Sequence, residues 1–145
     1  KANGGQCVVG QAPYDVCLFE DGLTTVQPDV YVVCDRSKFD KKKLNGAPDL
    51  VIEVLSPSTA AYDKTVKLDD YRMAGVKEMW LVDYENGRIM VHQFAGGEGW
   101  SEGTTEPDLV KIYGMNDKVP VGIYDSALEI DFAQIDAYVK SVVGE

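Results

Sequence analysis

Apolar and polar positions alternate along much of the first third of this chain. Tyr14, Val16 and Leu18 alternate with Asp15, Cys17 and Phe19, a period of two, so residues 6–20 read as two strands with a turn around Gly10 to Pro13. Glu20-Asp21-Gly22 is turn chemistry. Val26 to Cys34 is a second β-forming run; Pro28 is tolerated at the start of a strand and sets Asp29 at its mouth. Asp35 to Asn45 is polar and lysine-rich, a loop or a turn of irregular helix. From Leu50 to Leu55 every position is apolar except Glu53, and Pro48 and Pro57 bracket the run. It is short enough for a strand, and near-continuous hydrophobicity predicts one covered on both faces, as in the middle of an α/β sheet.

Downstream the period lengthens. Ser58 or Thr59 suits a helix N-cap and Gly75 a left-handed stop, which predicts a helix over 60–74. Within it Asp63, Lys67 and Tyr71 recur every four residues and share one face, while Tyr62, Val66 and Met73 lie on another. Met79 to Tyr84 is a further strand, and Asn86-Gly87 predicts a two-residue hairpin into Arg88 to Phe94. There Ile89 and Val91 face one way and Met90, His92 and Phe94 the other, which makes His92 a half-buried packing residue. Leu109 to Tyr113 is another candidate strand, and 116–127 is turn-rich. Asp131 with Gln134 resembles a capping box ahead of an amphipathic helix bearing Phe132, Ile135, Tyr138, Val139 and Val142. The expected fold is α/β, or more strictly a mixed α+β sheet of six or more strands. Its connections are mostly hairpins, with one crossover helix and a packed C-terminal helix.

Composition narrows the classes. A chain of 145 residues with 45% hydrophobic and 26% charged positions predicts a single domain, residues 1–145, with a real core. No apolar run approaches membrane-spanning length. The formal charge of −10 argues against a nucleic-acid coat protein, whose affinity rests on lysines and arginines, but not against an enzyme that meets phosphates through bound cations. Lys41-Lys42-Lys43, the basic run, reads as a solvated loop. Cys7, Cys17 and Cys34 form no CxxC pair and there is a single histidine, so no zinc constellation arises. The thiols are expected to be reduced strand residues of a cytoplasmic protein.

Glu53 is the conflict in this pattern, because a carboxylate removed from water needs a cation, a metal or a proton. Two readings stay open: a structural residue at a sheet edge or paired with a lysine, and a chemical centre. Lys67 is likewise either the partner of Asp63 in an exposed i,i+4 ladder or a cation turned inward toward Glu53.

Gln27-Pro28-Asp29-Val30, then Ala47-Pro48-Asp49-Leu50-Val51-Ile52-Glu53-Val54-Leu55-Ser56-Pro57-Ser58-Thr59, then Asp63, Lys67, Tyr71 and Gly75 to Asp83 resemble the Uma-type (Uma-two) bacterial family of predicted restriction endonucleases. That family is assigned to the PD-(D/E)XK nuclease superfamily, and the likeness runs from about Tyr14 to Phe94. It implies a restriction-endonuclease-like core with Asp29 as the first acid and Glu53 as the second. The lysine usually two positions after the second acid is Leu55 here, and the resemblance implies Lys67 in its place, with Asp63 and Tyr71 orienting it. It further implies a Mg²⁺ or Mn²⁺ ion held by Asp29, Glu53 and the Val54 carbonyl, a DNA substrate and a homodimer. Asp49 and Asp83 are weaker candidates, expected to be solvated strand ends. The superfamily fold opens with a helix absent from this chain, which starts at Lys1 and is expected to be a fragment or processed form. Against the metal-dependent endonuclease stand two alternatives: a non-catalytic binding or scaffold module, and a structural dimer unit.

Overall fold

β-branched and aromatic residues at strand spacing build a six-stranded sheet, seen in a computed structural model that describes residues 6–56, 66–94, 108–124 and 127–143. In chain order the strands are β1 (Val8–Gln11), β2 (Val16–Cys17), β3 (Thr25–Val26), β4 (Val30–Val33), β5 (Leu44–Asn45), β6 (Leu50–Val54), β7 (Glu78–Asp83), β8 (Arg88–Gln93), β9 (Leu109–Gly114), β10 (Lys118–Pro120) and β11 (Glu129–Asp131). The described helices are α1 (Leu68–Ala74) and α2 (Phe132–Val143). The main sheet has the order β1-β4-β6-β7-β8-β9, antiparallel throughout except for the β6/β7 pair, which α1 connects. The mixed α/β architecture expected from the hydrophobic pattern is therefore the one that forms. β2, β3 and β5 make a small second sheet, and β10 with β11 a hairpin.

The pleat splits the core in two. Val33, Tyr31, Val51, Met79 and Leu81 pack with Tyr71 and Val76 on the α1 face, while Val32, Leu50, Trp80, Val82, Ile89 and Val91 pack with Val119, Val121 and Phe132 on the other. Ile89 and Val91 indeed face away from Met90 and Phe94. Gly75 ends α1 in the left-handed region, φ 100°, its N–H donating to the Arg72 and Tyr71 carbonyls. Asp131 Oδ1 accepts from the N–H groups of Ala133 and Gln134, so the expected cap of the C-terminal helix is present.

Several expectations change. The two-residue hairpin at Asn86-Gly87 is a four-residue turn over 84–87: β7 and β8 pair as far as Asp83↔Arg88, and Asp83 accepts from the N–H and Nδ2 of Asn86. Asp83 is thereby buried rather than a solvated strand end. Asp49 is not solvated either; Oδ2 accepts from the Cys34 N–H at 2.7 Å and Oδ1 pairs with Lys77 at 3.3 Å. Residues 116–127 include β10, whose partner β11 follows them. Among the described side chains of α2 Phe132 alone is buried, and Ile135, Tyr138 and Val142 of the apolar stripe are exposed. The reduced-thiol expectation fails for two cysteines. Val8 pairs with Val33, so the next step in register sets Cys7 opposite Cys34, and the two form a disulfide; Cys17 is free and buried.

Candidate active site

The carboxylate singled out by pattern lies at the end of β6. Glu53 shares the α1 face with Val51 and is 2% exposed. The last ladder pair between β4 and β6 is Val30↔Ile52, so one step further Asp29 comes up opposite Glu53 on the same face. Position 28 is a proline, and beyond the ladder the Val54 N–H is satisfied by the side chain of Asp29, with Oδ2 accepting at 2.7 Å. A sequence feature, Pro28-Asp29 at a strand mouth, thus becomes a fixed carboxylate.

α1 closes the other side. The Lys67 ammonium lies 3.3 Å from Glu53 Oε2 and the Tyr71 hydroxyl donates to Glu53 Oε1 at 2.8 Å. Lys67 and Tyr71 therefore face inward, whereas Val66 and Met73, 45% and 54% exposed, face solvent. The Lys67–Tyr71 stripe thus faces the protein, alongside Leu68 and Ala74, which pack on the same core. Leu55, at the position where the superfamily lysine stands, is buried in the core. Asp63 and the N-cap candidates Ser58 and Thr59 lie outside the described residues.

Burial pushes the Glu53 carboxyl above the usual carboxylate range. The Tyr71 hydrogen bond and the Lys67 charge oppose that shift, and the nearby charge of Asp29 adds to it. Two carboxylates and a lysine meet at one strand end, where Asp29 also holds the Val54 N–H. Like charges directly opposite on neighbouring strands are destabilising, and a cation between them relieves the repulsion. Among the described residues no group of three or more His, Cys, Asp or Glu side chains is arranged to hold a metal. The donor set here is two carboxylates and a carbonyl, all hard oxygens, which fits Mg²⁺ or Mn²⁺ and not a sulfur- or imidazole-seeking ion.

His92 stacks on Phe94 with ring centroids 6.4 Å apart, far in the sheet from β4, and burial lowers its pKa; it packs, as expected. Sequence reasoning passed over Glu78, which is 1% exposed. Its signal was an acid opening an apolar run, hidden because that run was taken to start at Met79.

The family described as "Putative restriction endonuclease", Uma2, matches residues 2–114. The chain belongs to this family. Two Synechocystis sp. proteins, each described as uncharacterized, are also similar. One, slr1290, is 38% identical over 69 residues, covering 48% of this chain and 36% of its own length. The other, sll1609, is 29% identical over 101 residues, covering 63% of this chain and 57% of its own. The chain thus spans from about a third to somewhat over half of the curated relatives it matches. A crystal structure from Anabaena variabilis, described as "a putative nuclease belonging to DUF820", superposes with TM-score 0.61 at 19% identity. It covers 88% of this chain and 66% of its own. At that identity the likeness establishes the fold.

Proposed function

We propose that this Uma2 chain is a divalent-metal-dependent nuclease that hydrolyses DNA phosphodiester bonds at the end of β6. The observation that carries the reading is the meeting of Asp29, Glu53 and Lys67, distant in sequence, around one strand end. Asp29, Glu53 and the Val54 carbonyl would hold the cation, which when bound supplies an acidified water and neutralises charge on the phosphodiester. Lys67 keeps a positive charge beside the site, where negative charge develops on the reacting phosphate. Tyr71 fixes the Glu53 carboxylate by its 2.8 Å hydrogen bond, and the Val54 N–H fixes Asp29 in the same way. Asp63, four residues before Lys67, is proposed to orient it, and a homodimer would bring one such centre to each DNA strand.

One observation favours a non-catalytic module: each oxygen of Glu53 already has a partner within the chain, Tyr71 or Lys67. Calorimetric titration with Mn²⁺ and cleavage of supercoiled plasmid separate the two. Wild type is expected to bind Mn²⁺ and nick the plasmid, and Glu53→Gln to lose both. Equal metal binding by the two proteins would refute the assignment of these residues.

A further inference from the structure

The acidic total conceals a local reversal of charge. Residues 35–43, which follow β4, carry five of the fourteen lysines and arginines with two acids. The remaining 136 residues hold nine cationic and twenty-two acidic side chains. Both acids of the segment are turned onto its own frame. Asp35 Oδ1 accepts from the Ser37 N–H and hydroxyl at 3.0 and 2.6 Å. Asp40 accepts from the side-chain amide of Asn45 and from the N–H groups of Lys42 and Lys43, at 2.9, 2.7 and 2.9 Å, which holds its carboxyl down at about 2. The loop is anchored by Phe39 against Tyr14, by the Lys38 ammonium donating to the Ala47 carbonyl at 2.9 Å, and by Arg36 donating to the Gln6 carbonyl at 2.9 Å. Lys41 and Lys42 are exposed, and among the described residues neither they nor Lys43 form an ion pair. A cleft of about 600 Å³ is lined by Arg36, Lys38 and Lys77 together with Asp35 and Asp49; Lys77, whose side chain is 48% exposed, is paired with Asp49.

We propose that this basic lobe, Lys41 to Lys43 together with the cleft of Arg36, Lys38 and Lys77, is a contact surface for the phosphodiester backbone of duplex DNA flanking the Glu53 site. The inference rests on the nuclease reading and adds where the duplex lies. The cleft of the lobe stands at the Asp49 end of β6 and the candidate site at its Glu53 end, four residues apart, or about 13 Å of strand. With base pairs stacked every ~3.4 Å, a duplex engaged at the site and running along β6 reaches the lobe about four to six base pairs from the reacting bond. The lobe works electrostatically, holding phosphates without reading bases.

The test measures binding of a 30-base-pair duplex by fluorescence anisotropy in EDTA over a salt series, with wild type and the Lys41→Gln/Lys42→Gln/Lys43→Gln variant. These side chains lie on the surface of the loop, and an unchanged melting temperature verifies the fold. The variant is expected to lose at least about ten-fold in affinity for the duplex near 0.1 M salt. The slope of log K against log salt should shrink by roughly 0.9 for each lost contact. Unchanged slopes or no duplex binding by wild type would overturn the proposal. So would displacement of DNA by poly-glutamate of equal charge, which would mark the lobe as an acidic-protein surface instead. Mn²⁺ binding and its loss in Glu53→Gln read the cleavage centre without DNA, so the two readings fail separately.

Discussion

Two glutamates on neighbouring strands are almost equally hidden from water, Glu53 at 2% and Glu78 at 1% exposure, yet their surroundings differ in kind. Glu78 faces the Trp80 side of the sheet and accepts from neutral donors: the Trp80 indole at 2.9 Å, the Gln93 amide at 3.2 Å and the Gly122 N–H at 3.1 and 3.2 Å. A side chain at Gly122 would collide with the Glu78 carboxylate, so the close approach requires glycine. Glu53 faces the α1 side and meets an ammonium, a phenol and, across the strand pair, another acid. The first arrangement ties the segment after β10 to the sheet. The second leaves like charges opposed beside Val54, 52% exposed at the strand end. Burial of a carboxylate alone therefore does not tell the two apart; the charged neighbours, Lys67 and Asp29, and the open strand end do.

Cleavage is the sharpest way to break this contrast. Glu53→Gln is expected to reduce metal-dependent plasmid nicking by about a thousand-fold or more, on the scale of losing charge stabilisation together with a metal ligand. Glu78→Gln should stay within a few-fold of wild type per folded molecule. Equal losses would make the two acids functionally alike and remove the distinction.

Stability should order them the other way. Glu78→Ala strands the indole and backbone donors that the carboxylate now accepts from, and is expected to cost about 3 kcal/mol by urea denaturation. Glu53→Gln should leave the metal-free fold unchanged or slightly firmer, since it removes a desolvated acid facing Asp29. A loss of several kcal/mol in Glu53→Gln would instead make its pairing with Lys67 a structural keystone.

A smaller effect sharpens the role of Tyr71. Tyr71→Phe deletes the hydrogen bond to Glu53 Oε1 and should cost about 1–2 kcal/mol, with a further rise in the Glu53 pKa. Carboxyl titration followed by carbon-detected NMR reads that rise directly, and no change would deny the bond its role.

The smallest signal is the pH slope. Because burial raises the Glu53 pKa in the fold, the folded state holds the proton more tightly than the unfolded chain. That contribution is fully present below the ordinary glutamate value and is lost as pH rises through the raised one. Denaturation at stepped pH in EDTA should therefore show wild type losing stability relative to Glu53→Gln across that window. A relative gain with rising pH would reverse the sign and contradict the shift.

How much of this was legible depended on whether the signal was local. The apolar run Leu50 to Leu55, interrupted only by Glu53, became β6 with its acid buried. Gly75 stopped its helix and Asp131 capped the next, because both act on backbone groups within a few residues. The exposure of Val66 and Met73 was opaque, since helical periodicity separates faces without saying which is inward. Cys7 and Cys34 lie 27 residues apart and are joined only by register. Glu78 depends on Gly122, 44 residues downstream. The lysine run was read as solvated, which the exposure of Lys41 and Lys42 agrees with, while the meeting of Arg36 and Lys38 with Lys77 about one cleft arises from strand ends that chain order does not align.

By itself, the order of residues determined most of the strands, the stop of α1 and the cap of α2, and the presence of one carboxylate where apolar side chains belong. These follow from steric and hydrogen-bonding preferences that act over a few residues. Only the tertiary structure decided that Asp29 would stand across from Glu53 and that Lys67 would turn toward Glu53. Those placements depend on strand register and on which face α1 lays against the sheet, and both are settled by packing between segments far apart in the chain.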